Sequence, residues 1–523
     1  MEEKRRIIRS AGVMGSLTVV SRIFGLFRDI VTASLLGTGT GADAFTLAYR
    51  IPNLLRRLVG EGTMTAAFIP VFTEYRKGRD KSEVWELADR FFYTLGLVLV
   101  ILSLLGIIFS PAIVRIIGFG FAQVPGKIGL TASLSRIMFF YLAFIGLSAL
   151  AMAILNSFDI FAPSAFTPVL LNISIIVSAY LLAPRFSQPA YAFAIGVLLG
   201  GALQLGFQIP FLIRLGMRFR PGISFSHPAI RKIGRLMVPG IFGAGVIQIN
   251  VLVSSAIASM LPEGAVASLT YANRLTEFTL GVFAVSVSTV ILPLMSRQAL
   301  LEDLGPLKET LNYAMRLVFF ITIPSAVGLL VLREPIVALL LRWGRFGAHS
   351  LSMTSFALLF FALGLPAVGG VRVVAPAFYS LKDIKTPVKV AAVAMVGNIA
   401  LALILMKPLA HGGIAFALSL SAYLNLFLLL LLFRRRAGAL GGGHILASLL
   451  RIGASSAMMG GFCLYFGKKI GLSPDLPKLK LLFLLFPLIF FALLLYGIIA
   501  WLLGSEEVFD LLDIIKERLK RKG

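Results

Sequence analysis

A stripe of polar side chains recurs at helical spacing within an apolar stretch of the chain. Its members lie at positions i, i+3, i+7 and i+11, so a helix places them on one face: Arg50, Asn53, Arg57 and Glu61. Five arginines in all fall within 36 residues: Arg22, Arg28, Arg50, Arg56 and Arg57. A guanidinium stays charged and grips phosphate or carboxylate through a two-pronged fork. The pattern therefore predicts a site for an anion.

The composition places these arginines in a membrane protein. Of 523 residues, 58% are hydrophobic and only 14% are charged, whereas soluble domains carry about 25% charged residues. Lysine and arginine outnumber aspartate and glutamate by 49 to 24, which gives a formal net charge of +25. One cysteine and four scattered histidines offer neither a disulfide nor the ligand spacing of a metal site, so we expect no bound metal.

Apolar runs long enough to cross a bilayer number fourteen. The hydrocarbon core needs about 20 apolar residues per helix, and we expect an all-α polytopic membrane protein. The predicted spans are 10–36, 44–72, 91–114, 130–157, 164–183, 190–213, 236–261, 266–295, 314–332, 350–380, 386–406, 412–433, 446–467 and 481–503. The spans 44–72 and 350–380 are candidates for broken helices.

The loop charges predict an orientation. With the amino terminus in the cytoplasm, the cytoplasmic segments hold 29 lysines and arginines and the outer loops hold 11, as the positive-inside rule requires. An even number of spans returns the carboxyl terminus to the cytoplasm. We expect the tail 505–523 to form an amphipathic cytoplasmic helix with one apolar face: Val508, Leu511, Leu512, Ile515 and Leu519.

Nine arginines remain at membrane depth: Arg22, Arg28, Arg50, Arg56, Arg57, Arg136, Arg274, Arg372 and Arg451. Against lipid each would cost about 2.5–3.5 kcal/mol at mid-membrane, so they must face water, protein or ligand. Acidic partners at similar depth are few, namely Asp29, Glu61 and Glu277. For Arg136 and Arg451, near the ends of their spans, snorkelling to the headgroups is the alternative. The surplus of positive charge predicts a cationic cavity.

The chain also repeats itself. Residues 33–36 (ASLL) return as 258–261 (ASML), and 167–169 (TPV) return as 386–388. Six helices separate the copies, so we expect two pseudo-symmetric six-helix lobes in the same orientation around a central cavity. The predicted lobes are 1–225 and 226–440, followed by two extra helices over 441–504 and the tail 505–523.

Long motifs then resemble a known family. They are SRIFGLFRD (21–29), ADAFTLAYRIPNLLRRLVGEG (42–62), FIPVFTEY (68–75), and YANRLTEF with GVFAVSVSTVILPLMSR (271–297), followed by LGLPAVGGVRVVAPAFYSLKDIKTPV (363–388). These blocks resemble the MurJ/MviN lipid II flippases of the multidrug/oligosaccharidyl-lipid/polysaccharide exporter superfamily. The resemblance implies a transporter of the bacterial cytoplasmic membrane and not an enzyme. Its expected activity is to move an undecaprenyl-pyrophosphate-linked peptidoglycan precursor from the inner to the outer leaflet by alternating access.

The same resemblance implies which residues line the charged cavity: Arg22, Arg28, Asp29, Asp43, Arg50, Arg56 and Arg274. Supporting positions are Ser21, Asn53, Arg57, Glu61 and Glu277. We hypothesise that Arg22, Arg28, Arg56 and Arg274 bind the pyrophosphate, and that Asp29 and Glu61 orient these arginines. The chain departs from the family pattern at Asn273 and Ser254, where aspartate is usual.

Other functions stay open from the residues alone. An exporter of another anionic lipid-linked glycan is the main alternative, because arginines recognise pyrophosphate without reading the sugar. A cation-drug antiporter is a weaker alternative, because it would carry carboxylates in its cavity. The chain has no GxxxxGK[ST] motif, so we expect no cofactor and an external energy source: protons, sodium or the membrane potential. The expected partners are lipid II, membrane lipids and other cell-wall synthesis proteins, with no nucleic acid.

Overall fold

A computed structural model describes the backbone of residues 2–59 and 64–510, and the side chains of 15–58, 64–241, 245, 248–281 and 291–510. Every regular element in these ranges is a helix. The α-helices are α1 (Glu2–Leu36), α2 (Thr40–Val59), α3 (Thr65–Gly78), α4 (Lys81–Ile117), α5 (Lys127–Ser157), α6 (Ala162–Leu182), α7 (Ala190–Leu215), α8 (Pro228–Ser259), α9 (Ala265–Gln298), α10 (Gly305–Leu341), α11 (Ala348–Ser380), α12 (Lys385–Ala437), α13 (Gly442–Lys469) and α14 (Lys478–Leu502).

The helices confirm the predicted all-α membrane architecture. Each of the fourteen predicted spans falls largely on helix over its described residues, and within the described part of the chain nine helices are long and apolar enough to cross a bilayer. Hydrocarbon offers no hydrogen-bond partners, and a helix satisfies the backbone N–H and C=O groups within itself. Of the predicted span 44–72, residues 44–59 lie in α2 and 65–72 in α3, while 60–63 lie outside the described residues. The span 350–380 lies in the single helix α11, so the break expected there is wrong.

Two helices bend where predicted spans end, at the last residue of span 314–332 and between spans 386–406 and 412–433. In α10 the backbone leaves helical geometry at Leu332, three residues before Pro335. In α12 it breaks at Ala410, two residues after Pro408, with φ 46° and ψ −130°. Proline removes a backbone donor and crowds the preceding turn, which is the usual cause of a kink such as the one at Leu332. Ala410 follows Pro408, so this crowding does not explain the break there. The break in α12 separates the predicted spans 386–406 and 412–433.

The chain divides into two compact units. The first comprises Met1–Ala267 with Trp343–Gly347, and the second comprises Ser268–Arg342 with Ala348–Gly523. Packing therefore groups α8 with the helices before it, whereas the sequence repeat places α8 at the start of the second lobe. The compact units reflect which helices pack together, whereas the lobes reflect which segments of the sequence are similar. The lobe boundaries at 225 and 440 stay predictions.

Each unit has its own apolar core. In the first, the stacked rings of Phe68, Phe72 and Phe91, with centroids 4.9 and 5.5 Å apart, join α3 to α4. In the second, α10 packs against α11, α13 and α14, and Tyr496 on α14 donates a hydrogen bond of 2.7 Å to the Phe320 carbonyl on α10. The two extra helices α13 and α14 are therefore built into the second unit.

The tail begins with an anchored acidic residue. The Glu507 side chain is 1% exposed, accepts a hydrogen bond of 2.8 Å from the Ser448 hydroxyl, and lies 3.4 Å from the Arg316 guanidinium. Four of the five residues on the predicted apolar face of the tail, Leu511, Leu512, Ile515 and Leu519, lie outside the described residues. The amphipathic tail stays a prediction.

Candidate substrate-binding arginines

Helix α1 presents an arginine that is held from two sides. The Arg28 guanidinium donates from Nε and Nη2 to Oδ1 of Asp29, at 3.0 and 2.7 Å. Its Nη1 donates to Oδ1 of Asn172 on α6 at 3.1 Å. Asn172 in turn donates to the Ser21 carbonyl, about two turns before Arg28 in α1, at 3.3 Å. The arginine thus belongs to a small polar network between α1 and α6.

This network orients Arg28 and leaves part of it accessible. The side chains of Arg28 and Asp29 are 16% and 19% exposed. A guanidinium has five N–H donors, and the contacts to Asp29 and Asn172 use three. Asp29 offsets the arginine's charge at a depth where a lone cation is costly. Arg22, Ser21 and Asp29 share the half-buried environment of Arg28 along α1.

Helix α2 is amphipathic and carries the arginine stripe on its polar face. Arg50, Asn53, Arg56 and Arg57 are all half-buried. Asn53 accepts a hydrogen bond of 2.9 Å from Arg56 Nε. The apolar face contains Leu47 and Ile51, which are buried. These four residues are therefore neither fully enclosed in the core nor fully exposed on a surface. Glu61, the last member of the predicted stripe, lies outside the described residues.

Asp43 does not belong to an open cavity, and this prediction is corrected. Its side chain is 1% exposed, and Oδ2 lies 2.8 Å from Nζ of Lys127, which is 2% exposed. The carboxylate also accepts backbone hydrogen bonds from Gly264 and Ala267, each at 2.8 Å. Asp43 therefore caps the first turn of α9 and pairs with Lys127, which is a structural role.

Lys127 was not predicted as a partner of Asp43. In the sequence it lies 84 residues away in a segment that the charge count assigned to an outer loop. The structure instead makes it the first residue of α5, with its ammonium 4.2 Å from the centroid of the Phe121 ring. Neither its spacing nor its flanking residues distinguish it from the other loop lysines.

The third group of predicted residues lies on α9, in the second unit. Glu277 accepts hydrogen bonds from Arg274 Nη1 and Asn273 Nδ2, both at 3.1 Å. The Arg274 and Glu277 side chains are 38% and 43% exposed. Asn273 thus donates to the carboxylate that Arg274 also contacts. Because an aspartate at 273 could not donate, this departure from the family pattern gives Glu277 a second donor.

Among the side chains that the structure describes, no group of three or more His, Cys, Asp or Glu residues could hold a metal ion. The chemistry available in these groups is that of guanidinium donors paired with single carboxylates and amides. Such donors bind and orient phosphate or carboxylate groups.

Comparison with known proteins identifies the family. The family described as "Lipid II flippase MurJ" matches residues 32–472. The chain belongs to the MurJ family of lipid II flippases. It is 41% identical over 432 residues to a probable lipid II flippase MurJ of Vibrio cholerae, covering 81% of this chain and 82% of that protein. It is 33% identical over 532 residues to a probable lipid II flippase MurJ of Rhizobium tropici, covering 99% and 97% of the two chains.

Solved structures agree with this membership. A lipid II flippase MurJ in an inward closed conformation superposes with a TM-score of 0.77 at 27% identity, covering 95% of this chain and 99% of that one. An inward-facing multidrug resistance MATE transporter superposes with a TM-score of 0.69 at 16% identity, covering 83% and 99%. The second likeness shows a shared fold only. The family match places the chain among membrane transporters and not among enzymes.

Proposed function

We propose that this protein moves lipid II from the inner to the outer leaflet of the bacterial cytoplasmic membrane. The observation that carries the proposal is the set of half-buried guanidinium groups on α1 and α2 in a chain of the MurJ family. The proposal makes lipid II, with its diphosphate, the ligand of these groups, and membrane lipid its surroundings.

The energetic problem of the reaction lies in the diphosphate. Anionic oxygens lose their hydration when they enter the hydrocarbon region, and an unpaired buried charge is strongly disfavoured. Guanidinium groups replace the lost water with charge-assisted hydrogen bonds. The prenyl chain needs no such help, because it stays in an apolar medium.

Within this proposal Arg22, Arg28, Arg56 and Arg274 contact the diphosphate. Arg28 is supported as a contact by the donors that Asp29 and Asn172 leave unused. Asp29 is a positioning residue, because it holds the plane of the guanidinium from one side. Ser21 supports the arrangement through its carbonyl, which receives the Asn172 amide.

We further propose that Arg50, Asn53 and Arg57 extend the same polar surface along α2. Asn53 orients Arg56, and Glu61 is proposed to orient arginines of the stripe. Glu277 does the same for Arg274. Asp43 is left out of the ligand-contacting set because its carboxylate is enclosed by Lys127 and the α9 backbone.

The energy source proposed for the transport cycle is external. Moving one charge across the membrane is worth about 2.3 kcal/mol per 100 mV. The membrane potential can therefore drive a cycle in which the arginines bind the diphosphate on one side and release it on the other. A proton or sodium gradient is the alternative coupling. Purified protein in vesicles with an imposed potential, with and without matched proton and sodium gradients, separates the three sources.

The proposed topology places both termini in the cytoplasm. The single native cysteine, Cys463, is buried, so a cysteine-free Cys463→Ser background suits accessibility labelling. Cysteines introduced at Arg79 and Arg185, which lie on opposite sides in the proposed topology, should react with an impermeant reagent from opposite faces. Contacts with other cell-wall synthesis proteins are a further proposal, testable by crosslinking in cells.

The central experiment measures where lipid II accumulates. We expect depletion of the protein in its host to leave lipid II on the inner leaflet, and the wild-type gene to restore its outer-leaflet exposure. Arg28→Ala should fail to restore it. Arg185→Ala removes an exposed loop arginine that donates a hydrogen bond to the nearby Leu181 carbonyl, and it should restore outer-leaflet exposure fully. Restoration by Arg28→Ala at normal protein level would refute the role of Arg28.

A binding assay then separates lipid II from other anionic lipid-linked glycans. Purified protein should bind lipid II and lose most of this binding when Arg28 is changed to Ala. Equal binding of a lipid diphosphate that carries an unrelated glycan would show that the headgroup is not selected at the arginines, and would favour the broader exporter function.

A further inference from the structure

The first unit contains an apolar groove that the proposed transport site does not use. It has a volume of about 300 Å³, and nearly all of its lining is hydrocarbon. Its walls come from α2, α4, α5 and α8: Ile51, Leu54 and Leu55, then Leu102, Leu105, Gly106, Phe109 and Ile113, then Phe139 and Leu252. The α4 residues Leu102, Leu105 and Phe109 are 39–54% exposed, so the groove is open along α4.

A glycine sets the depth of the groove. Gly106 is buried, and a methyl group added there would overlap the Phe139 ring. The ring therefore lies directly against the α4 backbone and forms the floor between α4 and α5. Phe139 itself is 1% exposed. This floor is a packed feature of the fold, so the groove does not depend on a movable side chain.

An exposed arginine stands beside this groove. Arg136 lies one turn before Phe139 on α5, and its Nε donates a hydrogen bond of 3.2 Å to the Ser110 hydroxyl, next to Phe109 on α4. Among the described residues no carboxylate forms an ion pair with Arg136. A cation at this depth is costly unless an anion or water meets it. The hydroxyl of Ser110 orients the guanidinium but carries no charge.

We propose that this groove and Arg136 bind one anionic phospholipid of the surrounding membrane. The phosphodiester contacts the Arg136 guanidinium, and one acyl chain lies in the groove along α4. A 150 Å³ apolar cavity holds benzene, so about 300 Å³ accommodates on the order of a dozen chain carbons. That length matches a large part of one acyl chain.

Charge and helix geometry favour a phospholipid over the diphosphate substrate. One guanidinium matches the single negative charge of a phosphodiester, whereas a diphosphate calls for several donors. On α2 the groove residues Ile51 and Leu55 lie four residues apart on one face, and Arg50 and Arg57 lie seven apart on another. Leu54, the third groove residue of α2, lies four residues after Arg50, so the groove and the arginine stripe adjoin on the helix while their centres point in different directions.

Native mass spectrometry of the purified full chain tests this proposal. The probe is phosphatidylglycerol added to delipidated protein, with phosphatidylcholine as the zwitterionic comparison. Arg136→Gln should weaken phosphatidylglycerol binding about tenfold, the loss expected for one charge-assisted hydrogen-bonded contact. Leu105→Trp should reduce retention of both lipids, because the indole fills the groove. Leu105 is 45% exposed, so the added bulk meets no buried core.

Arg115→Gln is the matched control. Like Arg136 on α5, Arg115 on α4 is an exposed arginine. It lies two residues after the groove residue Ile113 and hence on the far side of α4 from the groove. It should change phosphatidylglycerol binding by less than about twofold. Equal binding by Arg136→Gln and wild type, or equal losses in Arg136→Gln and Arg115→Gln, would overturn the proposal. Displacement of the phospholipid by an undecaprenyl diphosphate at equal concentration would also overturn it, because the groove would then belong to the substrate.

Discussion

The buried pair of Asp43 and Lys127 offers a sharp test of the structural reasoning. Lys127→Met removes the ammonium and keeps most of the side-chain volume. Asp43 would then be a carboxylate that is 1% exposed with only the backbone N–H groups of Gly264 and Ala267 as its named partners. Breaking a buried pair from one side costs about 3–5 kcal/mol, because it leaves an uncompensated charge.

The chain supplies a control with nearly the same separation of charges and the opposite burial. Lys232 and Glu74 are 2.7 Å apart, within 0.1 Å of the 2.8 Å between Lys127 and Asp43, but their side chains are 54% and 65% exposed. Exposed pairs contribute about 0–1 kcal/mol, so Lys232→Met should change the free energy of unfolding by no more than that. Because the separations match, the contrast between the two variants isolates burial.

Unfolding in mixed detergent and SDS micelles, followed by tryptophan fluorescence, measures both variants. We expect Lys127→Met to lose about 3–5 kcal/mol and the double variant Asp43→Asn with Lys127→Met to lose less, because the asparagine is uncharged and keeps an acceptor oxygen. If Lys127→Met costs no more than Lys232→Met, or if the double variant is the least stable of the three, the assignment of Asp43 to a buried structural pair is refuted.

Three further predictions concern single residues: Asn172, Asp383 and Ala410. Asn172→Leu removes the acceptor of Arg28 Nη1 and should lower lipid II exposure about tenfold at unchanged protein level; wild-type exposure would contradict this. The backbone N–H of Thr386 is the main cause that lowers the pKa of Asp383 below its ordinary 3.8. Asp383→Asn keeps an acceptor oxygen but loses the charge, so it should cost about 1 kcal/mol of unfolding free energy at pH 6, the difference between charged and neutral hydrogen bonds. That difference should shrink as the pH falls through the lowered pKa, because the wild type then loses its stabilisation; a gap that stays constant as the pH is lowered would count against it. Ala410→Gly should raise stability by about 1 kcal/mol, since φ 46° with ψ −130° suits only glycine, and unchanged unfolding would exclude strain there.

The sequence could predict the helices because hydrocarbon selects for one simple pattern. A run of about 20 apolar residues needs no knowledge of its neighbours to be read as a span, so the spans from 10–36 to 481–503 coincide with helices. Prolines alone predict helix breaks poorly, because proline is tolerated within spans when neighbouring groups satisfy the backbone. The two prolines of α11 leave it continuous, while Pro408 precedes a break in α12.

The candidate site was predictable in its residue types but not in its pairings. Arg28 and Asp29 are adjacent in the chain, so their contact could be expected. Asn172 lies 144 residues from Arg28, and no local pattern joins them. Asp43 shows the converse error: its motif resembles the family's charged cavity, but burial against Lys127 gives it a structural role. Long-range packing decided both outcomes, and periodicity carries no information about it.

The role of the α1 and α2 arginines is tested most directly by the leaflet distribution of lipid II in cells that depend on variants of this protein. We expect wild type and Arg185→Ala to expose lipid II on the outer leaflet, and Arg28→Ala to retain it on the inner leaflet while the protein remains folded and abundant. Outer-leaflet exposure at the wild-type level in Arg28→Ala cells would contradict the claim that guanidinium groups on α1 and α2 carry the diphosphate.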